Sequence, residues 1–459
     1  MSAIETKRIT RSVIGRGWPI LLESVLFNIN TFLDIVMVGS LGAYAVSAVG
    51  ITDQPLLIVN FILMSMTTVI MTKISVLKGQ NDAKQIKVYL VNLIVLAVCI
   101  AFIFTLIGQI YAKEIMLLMG AQPDIADISA SFFRFVMAGI CIRAVSSAIT
   151  AGLRGIGETK TSMAIILISN ASNILFNYLF IFGHFGFPRM GVDGAGLATC
   201  LSFVVGFILC MVRLFFVKKG SLLDFEFREI FCLRYGLMKE IFSTSLPLIW
   251  ERVSVRLGVL ITAKFTISIG TLAYAAHTII GNLTGFSIFL GMALSTTIST
   301  FVGECVGRND YALAKKYINA TVKIGIAASS LFTVAFFFFA KPLAQIYTTE
   351  PAVIENCIIV LGLTAFVLPF QCTANVLFGA FRGLGDFKSP AKITAIGIAV
   401  IRPILTFVLV SVFHFNLLGA WIAINADELF RFAVVLVKYY KYHFENKKLP
   451  EQAKPVAAG

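Results

Sequence analysis

The chain has 459 residues, 58% hydrophobic and only 14% charged, with a formal net charge of +14. Ordinary soluble domains carry about a quarter charged residues, so this composition, with a mean hydropathy of +0.89, excludes a water-soluble globule and places the chain in lipid. The basic excess is spread over short loops with no basic domain to hold a duplex, which excludes a nucleic-acid partner.

The chain opens on a polar, basic segment, MSAIETKRITRSVIGRG, with no short apolar core and cleavage site of a signal peptide. Twelve apolar runs follow, at 18–38, 54–76, 88–111, 129–150, 162–183, 194–216, 246–269, 277–302, 320–340, 355–379, 391–413 and 417–438. Each is long enough to cross a bilayer core of about 30 Å as a helix. They are too long and too continuously apolar for barrel strands, and a helix satisfies its own backbone in lipid. The predicted class is an all-α integral membrane protein.

Basic residues fall on alternate connections. Lys7, Arg8, Arg11 and Arg16 precede the first run, and Lys78, Lys84 and Lys87 follow the second. Arg154 and Lys160 follow the fourth, and Lys218, Lys219, Arg228, Arg234 and Lys239 the sixth. Arg308, Lys315 and Lys316 follow the eighth, Arg382, Lys388 and Lys392 the tenth, and Lys441, Lys447 and Lys448 the last. The opposite connections hold mainly Lys113, Arg189 and Lys341. The excess of Lys and Arg on cytoplasmic loops predicts both termini inside, in a multi-pass cell-membrane protein.

The sequence is written twice. Residues 152–160 read GLRGIGETK and 380–388 read AFRGLGDFK. At this one offset Pro19 falls on Pro247, Glu23 on Glu251, Gly42 on Gly270, Asp82 on Asp310 and Pro123 on Pro351. A slip of three residues then aligns Gly194 with Gly419. Matches at one offset across successive helices mark an internal duplication. The expected organisation is a six-helix lobe at 1–216, a cytoplasmic linker at 217–245, a second six-helix lobe at 246–440 and a tail at 441–459. Six crossings return the chain to its starting side, so the two bundles form a parallel repeat, an arrangement used for alternating access. The glycines of the repeated phrase are expected to serve a tight turn. No phosphate-binding G-x-x-x-x-G-K-[ST] occurs, so an ion gradient is the expected energy source. The eight cysteines form no C-x-x-C pair, and His184, His277, His414 and His443 form no ligand motif. The signature of a membrane enzyme, an acid/base or metal cluster, is therefore lacking.

Several segments together resemble the multidrug and toxic compound extrusion (MATE) family over nearly the whole chain. They are WPILLE at 18–23, FLDIVMVGSLG at 32–42, GLRGIGETK at 152–160, NILFNYLFIFG at 173–183, GVDGAGLAT at 191–199, LAYAAHTI at 272–279, LGMALSTTISTFVGECVGRND at 290–310 and AFRGLGDFK at 380–388. The resemblance implies an antiporter that exports amphipathic, often cationic organic compounds in exchange for H⁺ or Na⁺. It implies no other cofactor, a small organic substrate and the lipid bilayer as partners, and action as a monomer. A lipid-linked glycan flippase or metabolite exporter of the same superfamily, with anionic cargo, is the alternative.

Asp34 stands mid-helix, about 22 Å from Pro19 at about 1.5 Å per residue. A carboxylate in a span costs about 2.5–3.5 kcal/mol on insertion scales and usually has a use. The resemblance places the family's amino-lobe ion-coupling aspartate here. Asn170, Asn173 and Asn177 share one side of the fifth helix, and Thr199 matches a hydroxyl that the family brings near the same site. These either hold Asp34, supply oxygens to Na⁺, or only bond between helices. Asparagine at 177, an aspartate in some members, removes one titratable group.

The second lobe departs from a family branch that has a glutamate two turns into the seventh helix and an aspartate in the tenth. Here Glu251 lies one turn after Pro247, where it either lines a cavity or, like its twin Glu23, serves the frame. Gln371 and Asn375 are the polar candidates of the tenth helix, and Arg256 lies deep in the seventh. Asp427 and Glu428 lie within the twelfth, with Arg431 placed to pair with Asp427. These six, Glu251, Arg256, Gln371, Asn375, Asp427 and Glu428, are the candidate substrate-cavity residues. His277 reads as a hydrogen-bonding residue first and a proton carrier second.

Overall fold

A computed structural model describes residues 3–217, 220–224 and 232–442. Part of the expected linker and nearly all of the expected tail, with Lys218, Lys219, Arg228, His443, Lys447 and Lys448, lie outside the described residues. Every regular element among the described residues is helical. The first copy of the repeat runs α1 (Ala3–Gly39), α2 (Ala43–Gly79), α3 (Ala83–Ile110), the short α4 (Ala112–Leu118), α5 (Pro123–Gly155), α6 (Thr159–Phe182) and α7 (Val192–Met211). The second runs α8 (Tyr235–Ile269), α9 (Thr271–Gly307), α10 (Tyr311–Phe338), the short α11 (Ala340–Gln345), α12 (Pro351–Ala365), α13 (Leu368–Gly383), α14 (Lys388–Ile396), α15 (Arg402–Phe407) and α16 (Asn416–Lys441). Turns of π-helix, Gly397–Ile401 and Val408–Val412, join α14 to α15 and extend α15.

Nine helical stretches among the described residues are long and apolar enough to cross a bilayer, and α12 with α13 forms a tenth span bent by 52°. The remaining two long helices, α8 and α16, have 35 and 26 residues and carry ionic side chains within them, which accounts for the twelve runs of the sequence. The bend corrects the reading of 355–379 as one continuous run. Pro369 is the second residue of α13 and has no N–H to give to the carbonyl of Ala365. The Thr333 hydroxyl of α10 donates to that carbonyl instead, at 2.7 Å.

The described residues form two compact units. One holds those within Leu22–Ser245, the other those within Met1–Leu21 and Leu246–Lys454. In the first unit, Leu63, Ile70, Leu90, Leu93, Ile140 and Leu153 form a fully packed core between α2, α3 and α5. The start of α8 belongs to this unit. Leu237 and Ile241 join its core, and Asn92 accepts from Arg234 N at 2.7 Å and donates to the Cys232 carbonyl at 2.9 Å. In the second unit, the first turns of α1 pack on α9 and α10. Arg16 Nη1 donates to Glu304 at 3.0 Å, its guanidinium lies 4.2 Å from the Phe301 ring centre, and Lys316 pairs with Glu5.

Each unit repeats the same local devices. Gly42 and Gly270 hold φ of 110° and 139° between the first two helices of each copy, where a side chain would be strained. Asp82 caps α3 by accepting from Gln85 N, and Asp310 caps α10 by accepting from Leu313 N. In the repeated phrase the turn glycines are Gly157 and Gly385, with φ of 88° and 86°. Gly155 and Gly383 serve close packing. A Cβ on Gly155 would lie 2.8 Å from the Met71 carbonyl, and one on Gly383 would lie 2.7 Å from the Ser299 carbonyl.

Candidate ion and substrate sites

In the amino-terminal lobe, α1 and α6 bring one carboxylate into a nest of amides. Asp34 is half-buried, and Asn173 and Asn177 are buried. Asn177 Nδ2 donates to Asp34 Oδ1 at 2.6 Å, and Asn30 Nδ2 donates to Asp34 Oδ2 at 3.1 Å. Asn30 also reaches Asn173 Oδ1 at 3.2 Å. Asn173 Nδ2 lies 3.4 Å from Thr199 Oγ1, whose own hydroxyl donates to the Ala195 carbonyl. All four predicted residues, Asp34, Asn173, Asn177 and Thr199, are thus in one network. Asn170 lies on the same helix, its buried amide nitrogen without an acceptor among the described residues.

The chemistry of this site follows from what is missing. No Lys or Arg of the described residues pairs with Asp34, so its ionised form leaves one uncompensated negative charge. Asn30 Oδ1 and Asn177 Oδ1 are buried and receive no donor among the described residues. Carboxylate and amide oxygens are ligand types that suit hard cations, and a proton on Asp34 cancels the same charge. Asn30 was missed in the sequence, although its i, i+4 spacing to Asp34 signals one helix face.

The carboxy-terminal lobe is built differently. Arg402, on α15, donates from Nε at 3.1 Å and Nη2 at 2.6 Å to Asp427 Oδ2. Arg431 Nε donates to Asp427 Oδ1 at 3.1 Å, as expected from the sequence, and Arg431 also pairs with Glu428. Gln371 Nε2 donates to Glu428 Oε1 at 3.0 Å. Asp427 is 0% exposed, and a Cβ on Gly397 would overlap its Oδ1 at 2.1 Å, so the backbone at the π-helical turn presses directly on the carboxylate. Two guanidinium groups and two carboxylates make the cluster neutral when all are ionised. Arg402 is the member the sequence reading passed over, although a lone charge in IAVIRPILTF was its signal.

Glu251 and Asn375 are engaged elsewhere, whereas His277 stands near Arg402 of the cluster. Glu251 accepts from Arg382 Nη2 at 2.8 and 3.1 Å, the counterpart of the Glu23–Arg154 pair, which gives it a structural partner on the repeated phrase. Asn375 packs against Gly291 of α9, and Arg256 is half-buried on α8. His277 stands beside Trp421, ring centres 5.5 Å apart, with Nδ1 buried and unpartnered among the described residues. No group of three or more His, Cys, Asp or Glu among the described residues is placed to hold a metal ion.

The MatE family model matches the chain twice, at residues 19–179 and 247–408, the two starts lying at the offset of the repeat. A probable multidrug resistance protein NorM of Thermotoga maritima is 30% identical over 96% of this chain and 95% of its own length. An uncharacterized transporter, YisQ of Bacillus subtilis, is 26% identical over 92% of each. Among solved structures, an outward-facing multidrug resistance MATE family transporter of the MOP superfamily superposes with a TM-score of 0.87 at 19% identity, over 96% of this chain and 98% of that one. A MOP superfamily transporter from Pyrococcus furiosus gives 0.85 at 18% identity, over 96% and 98%. At these identities the structural likenesses establish the fold.

Proposed function

The chain belongs to the MatE family, and we propose that it is a cation-coupled antiporter that exports amphipathic organic compounds by alternating access of its two lobes, with Asp34 as the coupling group. The relatives named for multidrug resistance support the class of cargo. The observation that carries the coupling is the isolation of Asp34: a carboxylate held by amide donors from Asn30 and Asn177, with no cationic partner among the described residues and with unpartnered oxygens on those same two amides. Such a site is one charge short of neutrality, and H⁺ or Na⁺ supplies it. When the cation arrives, Asp34 no longer needs the Asn30 and Asn177 donors. The contact of α1 with α6 then changes at the point where the network ties them. Ion and cargo each disfavour the other's bound state, as linkage requires of an exchanger. Basic residues on alternate loops support cytoplasmic termini in a cell membrane. No nucleotide or other cofactor enters this scheme, and the protein acts as a monomer.

Drug efflux from proteoliposomes under a pH gradient alone or a Na⁺ gradient alone tests the proposal. One of the two drives export by the unaltered protein and fails with Asp34→Asn. Export by that variant at normal rate and yield would remove Asp34 as the coupling group. Anionic cargo is the second reading, favoured by Arg256, a half-buried cation deep in α8. Competition by anionic against cationic compounds in the same vesicles separates the two.

A further inference from the structure

We infer that Glu428 and Gln371 form a second proton-binding site, in the carboxy-terminal lobe, in which a protonated Glu428 closes a two-bond ring with the Gln371 amide. The inference rests on the proposed exchanger only for its link to cargo. Both side chains are buried, 6% and 9% exposed. Two donors meet one oxygen of Glu428, Gln371 Nε2 at 3.0 Å and Arg431 Nη2, and the Arg402 guanidinium forms a longer ion pair with it at 3.6 Å. The other oxygen, Oε2, is buried and receives no donor among the described residues, and the same is true of Gln371 Oε1. A buried acceptor without a donor costs about 1–3 kcal/mol, and here two stand on side chains already joined by one hydrogen bond.

A carboxylic acid and a primary amide match each other through two hydrogen bonds, N–H to carbonyl oxygen and O–H to amide oxygen. The first is present. A proton taken from the aqueous phase onto Glu428 Oε2 forms the O–H bond that donates to Gln371 Oε1, and one proton meets both unfilled needs. The groups around Glu428 set the electrical consequence. Its own helix presents Asp427 and Arg431, α15 presents Arg402, α9 presents His277 near Arg402, and α13 presents the neutral Gln371. From α12 the neutral Thr364 meets Asn425. Ionised, the two guanidinium and two carboxylate groups sum to zero; protonation at Glu428 leaves one positive charge on a buried cluster. That charge opposes a cationic cargo, so a proton here helps to discharge it.

Infrared difference spectra of the purified full-length protein, recorded between neutral and acidic pH in lipid nanodiscs, read this directly. A carboxylic-acid carbonyl band is expected that is lost in Glu428→Gln, retained in Asp34→Asn, and moved to higher frequency in Gln371→Met, which keeps the volume and removes the amide acceptor. Persistence of every band in Glu428→Gln overturns the proposal. If that variant does not fold, Gln371→Met decides alone, since an unmoved band means that something other than the amide meets Oε2. Removal of the band by added Na⁺ at constant pH also overturns it, in favour of a metal-ion site. A missing band leaves export coupled through Asp34 untouched, and a failure of export leaves the band's assignment standing.

Discussion

The two lobes share a frame and differ in what they carry at mid-membrane. The first helix of each copy ties to the repeated phrase by an ion pair, Glu23 with Arg154 and Glu251 with Arg382. The acid within the phrase reaches a base on the last helix of its copy, Glu158 to Arg213 and Asp386 to Lys438. Inside this shared scaffold the polar residues occupy different slots. The repeat places Gly258, Thr262, Ile401 and Leu405 where the amino lobe has Asn30, Asp34, Asn173 and Asn177. Conversely, the Gln371–Glu428 pair falls on Arg143 and Phe203, whose guanidinium and ring lie 5.1 Å apart. Asp427 falls on Ser202. Gly397 facing Arg431 falls on Ser169 facing Gly206, so the small partner has changed sides. Residues at helix ends and turns answer to the fold, which both copies need. Those at mid-span differ between the copies, and one lobe has a lone carboxylate while the other has a balanced ionic cluster.

The sharpest way to break this contrast is to alter equivalent slots. Asp34→Asn is expected to abolish gradient-driven export at normal membrane yield, whereas Thr262→Val, at the matching slot, keeps at least half of it; efflux assays on both decide. Next in size are the frame ion pairs. Both pairs are partly buried, so loss of one partner costs less than the about 3–5 kcal/mol of a fully buried pair, and Arg154→Ala and Arg382→Ala should both lower the melting temperature of purified protein by similar amounts. A large loss in one alone would mean that the frame is not shared. Gly155→Val and Gly383→Val should follow, each by about 1–3 kcal/mol of overpacking. They should reduce folded protein in the membrane without changing which compounds are exported.

The smallest effect concerns acid. Asp386, in the turn after α13, is pushed up by burial, but hydrogen bonds from Lys438 and Ser389 outweigh this and hold its carboxyl below the usual range. Its contribution is therefore complete above the unfolded value, about 3.9, and is lost as pH falls through the lower folded value. Asp386→Asn should flatten the acid limb of a stability–pH profile and leave the neutral region nearly level.

Much of this frame was legible before any coordinates. Continuous apolar runs announce spans because lipid removes every other option for the backbone, and a constant offset announces a repeat because helix lengths cannot drift without losing it. Asp34 was legible as a charge that lipid does not tolerate idly. The rest depends on which faces meet. Asn30 is neutral and looks like any polar residue of an apolar helix until Asp34 is seen one turn on with Asn177 across from it. Arg402 declares itself as a charge but not its partners, since Asp427 is 25 residues away on another helix. Gly155 and Gly383 look like turn residues beside Gly157 and Gly385, and only the nearness of α2 and α9 reveals their packing role. Pro369 was in view inside the tenth run, but a proline bends a span only to the extent that neighbours can satisfy what it frees.

One such neighbour bears on the history of the molecule. Thr333 donates to the Ala365 carbonyl at 2.7 Å where Pro369 cannot. The repeat places Thr105 and Met137 at the same two slots, and there too the threonine donates to the carbonyl, at 2.9 Å, although α5 runs unbroken. The simplest account is that the ancestral six-helix unit already had this bond before it was duplicated, as a redundant second donor to a carbonyl that the helix itself satisfied. Redundancy of that kind makes a lineage permissive. Proline entered one copy without stranding a carbonyl in lipid, and the two descendants of one helix parted company, one straight and one jointed.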